Sequence, residues 1–241
     1  MIKKNYKYQI KLDIDKDSWN WYDGCNSDCF GIDCCEGLPL EVVAKIKGQP
    51  KRKAYSFLDS FLKQKYIDEK SQIDDYTDSL DKRFQQSFQS ACDKMVAVIG
   101  RPLYRDDFTI YLTTFPRCPY HYEIGAVYEF IGWKGSLETF LHELCHFQFI
   151  HYWYKNPKSP ISKLSYEDFD YLKESLTMIL DADFYPLISK PDNGYPMHKK
   201  FRGELTKFWD TNKNFDELVD FGLKILPKFL AAVDQADDLK N

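Results

Sequence analysis

The sequence predicts an α+β fold, mostly helical, built around a small sheet. Three observations carry this expectation. Apolar residues recur at helical spacing through 52–99 and again from 136 onward. Only three short stretches, 6–14, 108–113 and 122–131, carry strand patterning. The composition, 44% hydrophobic and 29% charged, is that of an ordinary globular chain, with no repeat, low-complexity segment or linker. Residues 1–241 are therefore expected to form one domain: 1–135 supplying strands and covering helices, 136–182 a helix pair, and 183–241 closing helices.

Taken in order, residues 6–14 alternate apolar and polar and read as a half-buried strand. Residues 18–37, rich in Trp, Gly and Cys, read as a loop. Two or more amphipathic helices fill 52–99, the second from about Asp74 to Ile99 with Gly100 and Pro102 as its stop. Strands follow at Phe108–Thr113 and at Tyr122–Ile131, the latter with Tyr122, Ile124, Ala126, Tyr128 and Phe130 on one face. Gly132 to Gly135 break the chain, Ser136 is placed to cap a helix, and that helix is expected to reach about Tyr154. Ser165 to Asp168 fits a capping box opening a helix to about Asp183. A loop carrying Pro186 and Pro191 to Gly194 precedes two final helices from about His198.

The net charge of −4 excludes the strongly basic footprint of a general nucleic-acid binder. The start has lysines but no apolar segment behind them, and no apolar run is long enough to span a bilayer. A cytoplasmic protein with no membrane partner is the expectation. Seven cysteines is an odd number, which suits thiols or metal ligands better than a full disulfide set.

The chemistry concentrates on His142-Glu143-Leu144-Cys145-His146. Histidines four apart on a helix lie on one side, a turn apart, where both can reach one ion. Zinc favours such nitrogen donors. Glu143, to the side of the pair, is placed to take a proton from a metal-activated water rather than to bind the metal. Leu137, Phe140, Leu141, Leu144, Cys145, Phe147, Phe149, Ile150 and Trp153 cover almost the whole circumference of this helix. Such a helix is buried, and buried polar groups need partners. A metal serves all three; histidines hydrogen-bonded to backbone or acids are the plainer alternative.

From Thr139 to Gln148 the chain resembles the zincin metallopeptidases, whose motif is flanked by uncharged residues; Gln148 departs, standing where that family has an apolar side chain. The resemblance implies a zincin-like domain, a zinc ion held by His142 and His146, and Glu143 as general base. It also implies that Tyr122–Ile131 is an edge strand aligning an extended peptide or protein substrate by main-chain pairing. Within the gluzincin branch the third ligand is a Glu on the next core helix, and Glu174-Ser175-Leu176-Thr177 resembles that segment. The Asp that the branch often places four residues later is here Met178, with Asp181 on the same side as Glu174 and able to orient a ligand. Glu174 lies nearly opposite the apolar stripe of its helix, where solvated acids normally sit, so Asp170, Asp181 and His198 stay open as ligands. The succession of motif, Glu-Ser-Leu-Thr and Gly-Tyr-Pro is similar to that of uncharacterised bacterial proteins over about the last half of the chain.

Tyr195 or His198 could donate to a developing oxyanion; a loop with one packed Tyr and one surface His is the plainer expectation. Cys25, Cys29, Cys34 and Cys35 read as packed or free thiols, with a second metal or a disulfide as alternatives, and Cys145 as a core residue. Trp19 and Trp21 read as one packed and one exposed ring. The retained Glu143 favours a zinc-dependent hydrolase, a peptidase by resemblance. The alternatives are a non-catalytic zinc-binding or partner-binding domain, and a helical protein whose motif arose by chance.

Overall fold

The computed structural model describes residues 4–27, 33–133 and 136–238; Cys29, Lys134, Gly135 and the Ser136 side chain lie outside that set. Helix accounts for 63% of the structure and strand for 9%, so the fold of the described residues is α+β and mostly helical, as the periodicity predicts. The chain packs as two compact units. One comprises residues up to Gln86 together with Asp107–Ser136, and the other Ser87–Asp106 with Leu137–Asn241.

The first unit holds the sheet. β1 (Lys7–Leu12), β2 (Asp107–Thr113), β3 (Tyr120–His121) and β4 (Ala126–Phe130) lie in the order β1-β2-β4-β3. β1 and β4 run parallel to β2, with Ile10 beside Ile110 and Tyr111 beside Tyr128, and β3 is antiparallel to β4. The expected strand over Tyr122–Ile131 is only half realised. Tyr122–Ile124 form a 3-10 turn closed by Gly125 at φ 62°, a left-handed conformation that an L side chain resists, and the strand proper starts after it. Nor is β4 an open edge. Tyr120 and His121 pair with Val127 and Ala126, the Tyr128 N–H donates to the Pro119 carbonyl, and the Phe130 N–H donates to Cys118 Sγ.

The stretch expected to be a loop from 18 is instead the body of a helix, α1 (Ile14–Asn26). Asp13 caps it, its carboxylate accepting the N–H groups of Asp15 and Lys16. Its buried positions, Asp17, Ser18, Asn20, Trp21, Gly24 and Cys25, keep helical spacing; the Trp and Gly content masked a period that packing then selects. Asp17 is fully buried and accepts hydrogen bonds from Thr113 Oγ1, Tyr66 Oη and both the N–H and hydroxyl of Thr114. Those donors satisfy a carboxylate whose burial alone raises its pKa. α2 (Leu40–Val43), a short helix without a sequence signal, and α3 (Lys51–Asp68) complete the packing around Trp21 and Phe115. α4 (Lys70–Ile99) ends at Gly100 as expected and contributes to both units.

The second unit is helical. α5 (Ser136–Phe149) passes into a π-helical turn over Ile150–Tyr154. The helix expected to run to Asp183 is broken in two, α6 (Tyr166–Leu176) and α7 (Ile179–Asp183). Ser165 Oγ caps α6 by accepting the Asp168 N–H at 3.1 Å. α8 (Lys199–Thr211) and α9 (Phe215–Asp238) close the unit. Among the described residues no helix is long and apolar enough to cross a membrane.

Candidate metal centre

α5 is buried over most of its circumference. Leu137, Phe140, Leu141, Leu144, Cys145, Phe147 and Phe149 are fully covered. Gln148, the departure from the motif's usual flank, is covered too. Its amide donates to the Pro102 carbonyl and its carbonyl accepts the Tyr104 N–H, both at 3.0 Å, so it fixes residues 102–104 to the helix. Within this apolar shell the helix presents His142 and His146 one turn apart, with ring centroids separated by 4.4 Å.

The partner that meets them is Glu174. Its Oε2 lies 3.3 Å from His142 Nε2, and its Oε1 lies 3.1 Å from His146 Nε2. One donor atom from each of the three side chains lies within 4.8 Å of the other two. Two imidazole nitrogens and one carboxylate, converging from two helices, form a set that zinc accepts at a catalytic centre. α6 does not leave Glu174 on a solvated face: every residue from Phe169 to Leu176 is buried. His142 is 23% exposed and His146 only 1%, so the set opens to solvent past His142.

The other residues weighed as ligands are placed elsewhere. Asp170 pairs with buried Lys173 at 2.6 Å, and that ammonium also touches Glu174 Oε1 at 3.0 Å. His198 is wholly buried, its ring 4.4 Å from that of Tyr171, so it is not the surface histidine the loop suggested. Asp181 does not reach a ligand either. Its Oδ1 accepts the Asp192 N–H at 2.6 Å, and Asp192 Oδ2 stands 3.1 Å from His142 Nδ1. Asp181 thus holds the residue that orients the histidine.

Asp192 carried no spacing signal in the sequence. It is fixed by Arg202 of α8, whose guanidinium donates to the Asp192 carbonyl, to Thr177 Oγ1 at 2.6 Å and to the Glu174 carbonyl at 3.2 Å. One arginine therefore ties the loop carrying Asp192 to the end of the helix carrying Glu174. Lys173 was also missed, being an ordinary helix residue until α6 is seen to be buried on both sides.

The charge states differ sharply across a few ångströms. Burial alone would lower the His142 imidazole, but Asp192 and Glu174 outweigh it and hold it well above the usual histidine range. Burial lowers His146 to about 3. Glu174 is held well below the usual carboxylate range because His146, His142 and Lys173 outweigh its burial. Glu143 goes the other way: burial and the charge of Glu174 push it up to about 8, against the opposing pull of His142. Its Oε2 is buried 4.0 Å from His146 Nε2 and has no hydrogen-bond partner among the described residues. A buried carboxylate oxygen aimed beside two imidazoles and left without a donor fits a cation and its water at that place.

Comparison with protein-family models, with curated proteins and with solved structures finds no match.

Proposed function

We propose that this protein is a zinc-dependent hydrolase acting on peptide bonds, with His142, His146 and Glu174 holding the ion and Glu143 acting as general base. The observation that carries the reading is the convergence of both Nε2 atoms on the Glu174 carboxylate, with the unpartnered oxygen of Glu143 beside it. The likeness of residues 139–148 to the zincin motif supports the peptide bond as the target. A non-catalytic site would not need this acid, since structural zinc is closed by four protein ligands.

A zinc ion bound here supplies Lewis acidity, polarising a carbonyl and lowering the pKa of water to about 7. The residues of the chain do the rest. Asp192 stands 3.1 Å from His142 Nδ1, where it can accept that nitrogen's proton and so leave the Nε2 lone pair for a bound ion. Glu143, whose Oε2 lies buried and unpartnered 4.0 Å from His146 Nε2, takes the proton of the attacking water and returns it to the leaving amine, a bound cation favouring its ionised form.

Zinc content and hydrolysis of a peptide library, measured on the purified protein and two variants, test the proposal. Glu143→Gln is expected to keep one zinc per chain and to lose about 10²–10⁴ in turnover. Glu174→Ala is expected to lose the metal. Unchanged turnover in Glu143→Gln would remove that residue as the base, and wild-type protein that takes up no zinc would remove the metal reading altogether.

A further inference from the structure

Two cysteines belong to the first unit, whereas the candidate ligands belong to the second. Cys25 lies in the last turn of α1, where the Ser27 N–H closes the helix on the Asp23 carbonyl and the Asn26 amide donates to the Tyr22 carbonyl. Cys35 sits on a turn held by its own N–H on Asp33 Oδ1 at 3.0 Å and by the Leu38 N–H on its carbonyl at 3.1 Å. The two backbones bring Cys25 Sγ and Cys35 Sγ to 3.2 Å of each other, both buried among Trp21, Val42, Ile46 and Phe115.

Donor count, rather than spacing, favours a covalent pair over a metal pair: among the described residues no third metal-binding side chain joins the two sulfurs. Two thiolates on one tetrahedral zinc would stand about 3.8 Å apart, from a Zn–S bond of about 2.3 Å. A disulfide needs about 2.05 Å, so these sulfurs have about 1.1 Å left to travel. Among the described residues, Cys34 does not join them in a group of three donor atoms.

We propose that Cys25 and Cys35 form a reversible dithiol that a low-molecular-weight disulfide closes into an intramolecular bond, tying the end of α1 to the 33–38 turn. Cys35, the more exposed of the two, attacks the small disulfide RSSR as its thiolate, forms the mixed disulfide Cys35–S–SR and releases RS⁻. Cys25 then loses its proton to solvent and attacks Cys35 Sγ, forming the Cys25–Cys35 bond and expelling the second RS⁻. Two protein thiols are oxidised by two electrons, RSSR is reduced, and the released thiolates take up the two protons as 2 RSH. Burial and the neighbouring Cys35 raise the Cys25 thiol, so the second step is the slow one.

The test uses the full chain, reduced and then equilibrated in mixtures of oxidised and reduced glutathione, quenched in acid, denatured, alkylated and cut before aspartates. Cleavage at Asp23, Asp28, Asp33 and Asp59 separates Cys25 (fragment 23–27) from Cys29 (28–32) and from Cys34 and Cys35 (33–58). The expected product is fragment 23–27 linked to 33–58, rising from near none to near stoichiometric as the mixture becomes oxidising and reversed by excess reductant. The link persists in Cys34→Ser and disappears in Cys35→Ser. A link to fragment 28–32, glutathione retained on Cys35 with Cys25 still alkylated, or a link surviving Cys35→Ser would overturn the proposal. So would a zinc ion, additional to the one at His142, that the wild type holds and Cys25→Ser releases. The wild-type map decides the matter even where a variant folds poorly.

Discussion

Glu143 and Glu174 are neighbouring buried carboxylates with opposite fates. Glu174 faces two imidazoles and an ammonium and is held low; Glu143 has a buried oxygen without a hydrogen-bond donor and is raised by burial to about 8. Asp192 decides which nitrogen of His142 faces the centre, so Asp192→Ala is expected to weaken zinc binding about 10–100-fold, read by competition with a chromogenic chelator. His198 makes a second testable point. Its folded pKa is lowered to about 4 by burial, against about 6.5 in the unfolded chain. Between those values only the unfolded state binds the proton, so stability is full above about pH 6.5 and falls as the pH drops towards 4. Denaturant unfolding in chelator, from pH 6.5 to 4.5, should show the wild type losing about 2–3 kcal/mol more than His198→Phe. Equal losses would mean that His198 titrates normally. The His pair and Glu143 were legible in the sequence because covalent spacing sets them. Asp192, 50 residues from His142, was not, since only folding brings it there.

At the scale of elements, α1 and α6 teach the same lesson. Both mix apolar and charged residues, and both bury polar side chains that a helical wheel places outside: Asp17 and Asn20 in α1, and Asp170, Lys173 and Glu174 in α6. α6 keeps Lys173 and Asp170 inside because they neutralise each other, which a helical wheel does not show. α1 escapes a propensity reading because Trp and Gly look like loop residues, while Gly24 is in fact a contact residue. A Cβ there would stand 2.2 Å from Phe115 Cε1, in a ring packed on Trp21. Gly24→Ala is therefore expected to destabilise the protein by about 1–2 kcal/mol, the overpacking cost outweighing the gain in helix propensity. Urea unfolding checks it, and a stability gain would show that Phe115 can move aside. The helices whose apolar faces alternate cleanly with charged ones, α3, α4, α8 and α9, were placed well by periodicity alone.

For the whole molecule, the chain divides into two compact units, and all the candidate ligands and their supports lie in the second. On the proposed zinc reading, removing the metal should therefore act there first. Zinc one hundredfold above its Kd would contribute about 2.7 kcal/mol, which chelator would abolish. Hydrogen exchange with and without chelator should show protection lost around His142, Glu174 and Asp192, with α3 of the first unit unchanged. Uniform loss across both units would show that they unfold as one. The division itself was not legible, because the first unit takes residues from both sides of Ser87–Asp106 and no change in composition marks the crossings.

The sequence by itself determined the register of His142, Glu143 and His146, because four residues on an α-helix make one turn whatever surrounds it. It also determined that this helix is buried, since apolar residues occupy its whole circumference. Only the tertiary structure decided what meets the two histidines. Glu174 reaches them because α6 is buried beside α5, and Asp192 because Arg202 holds its loop in place. It also closed the expected strand edge by laying residues 118–121 along β4. Local spacing is set by covalent geometry, whereas partners 30 to 50 residues apart are set by which surfaces the folded chain can bury together.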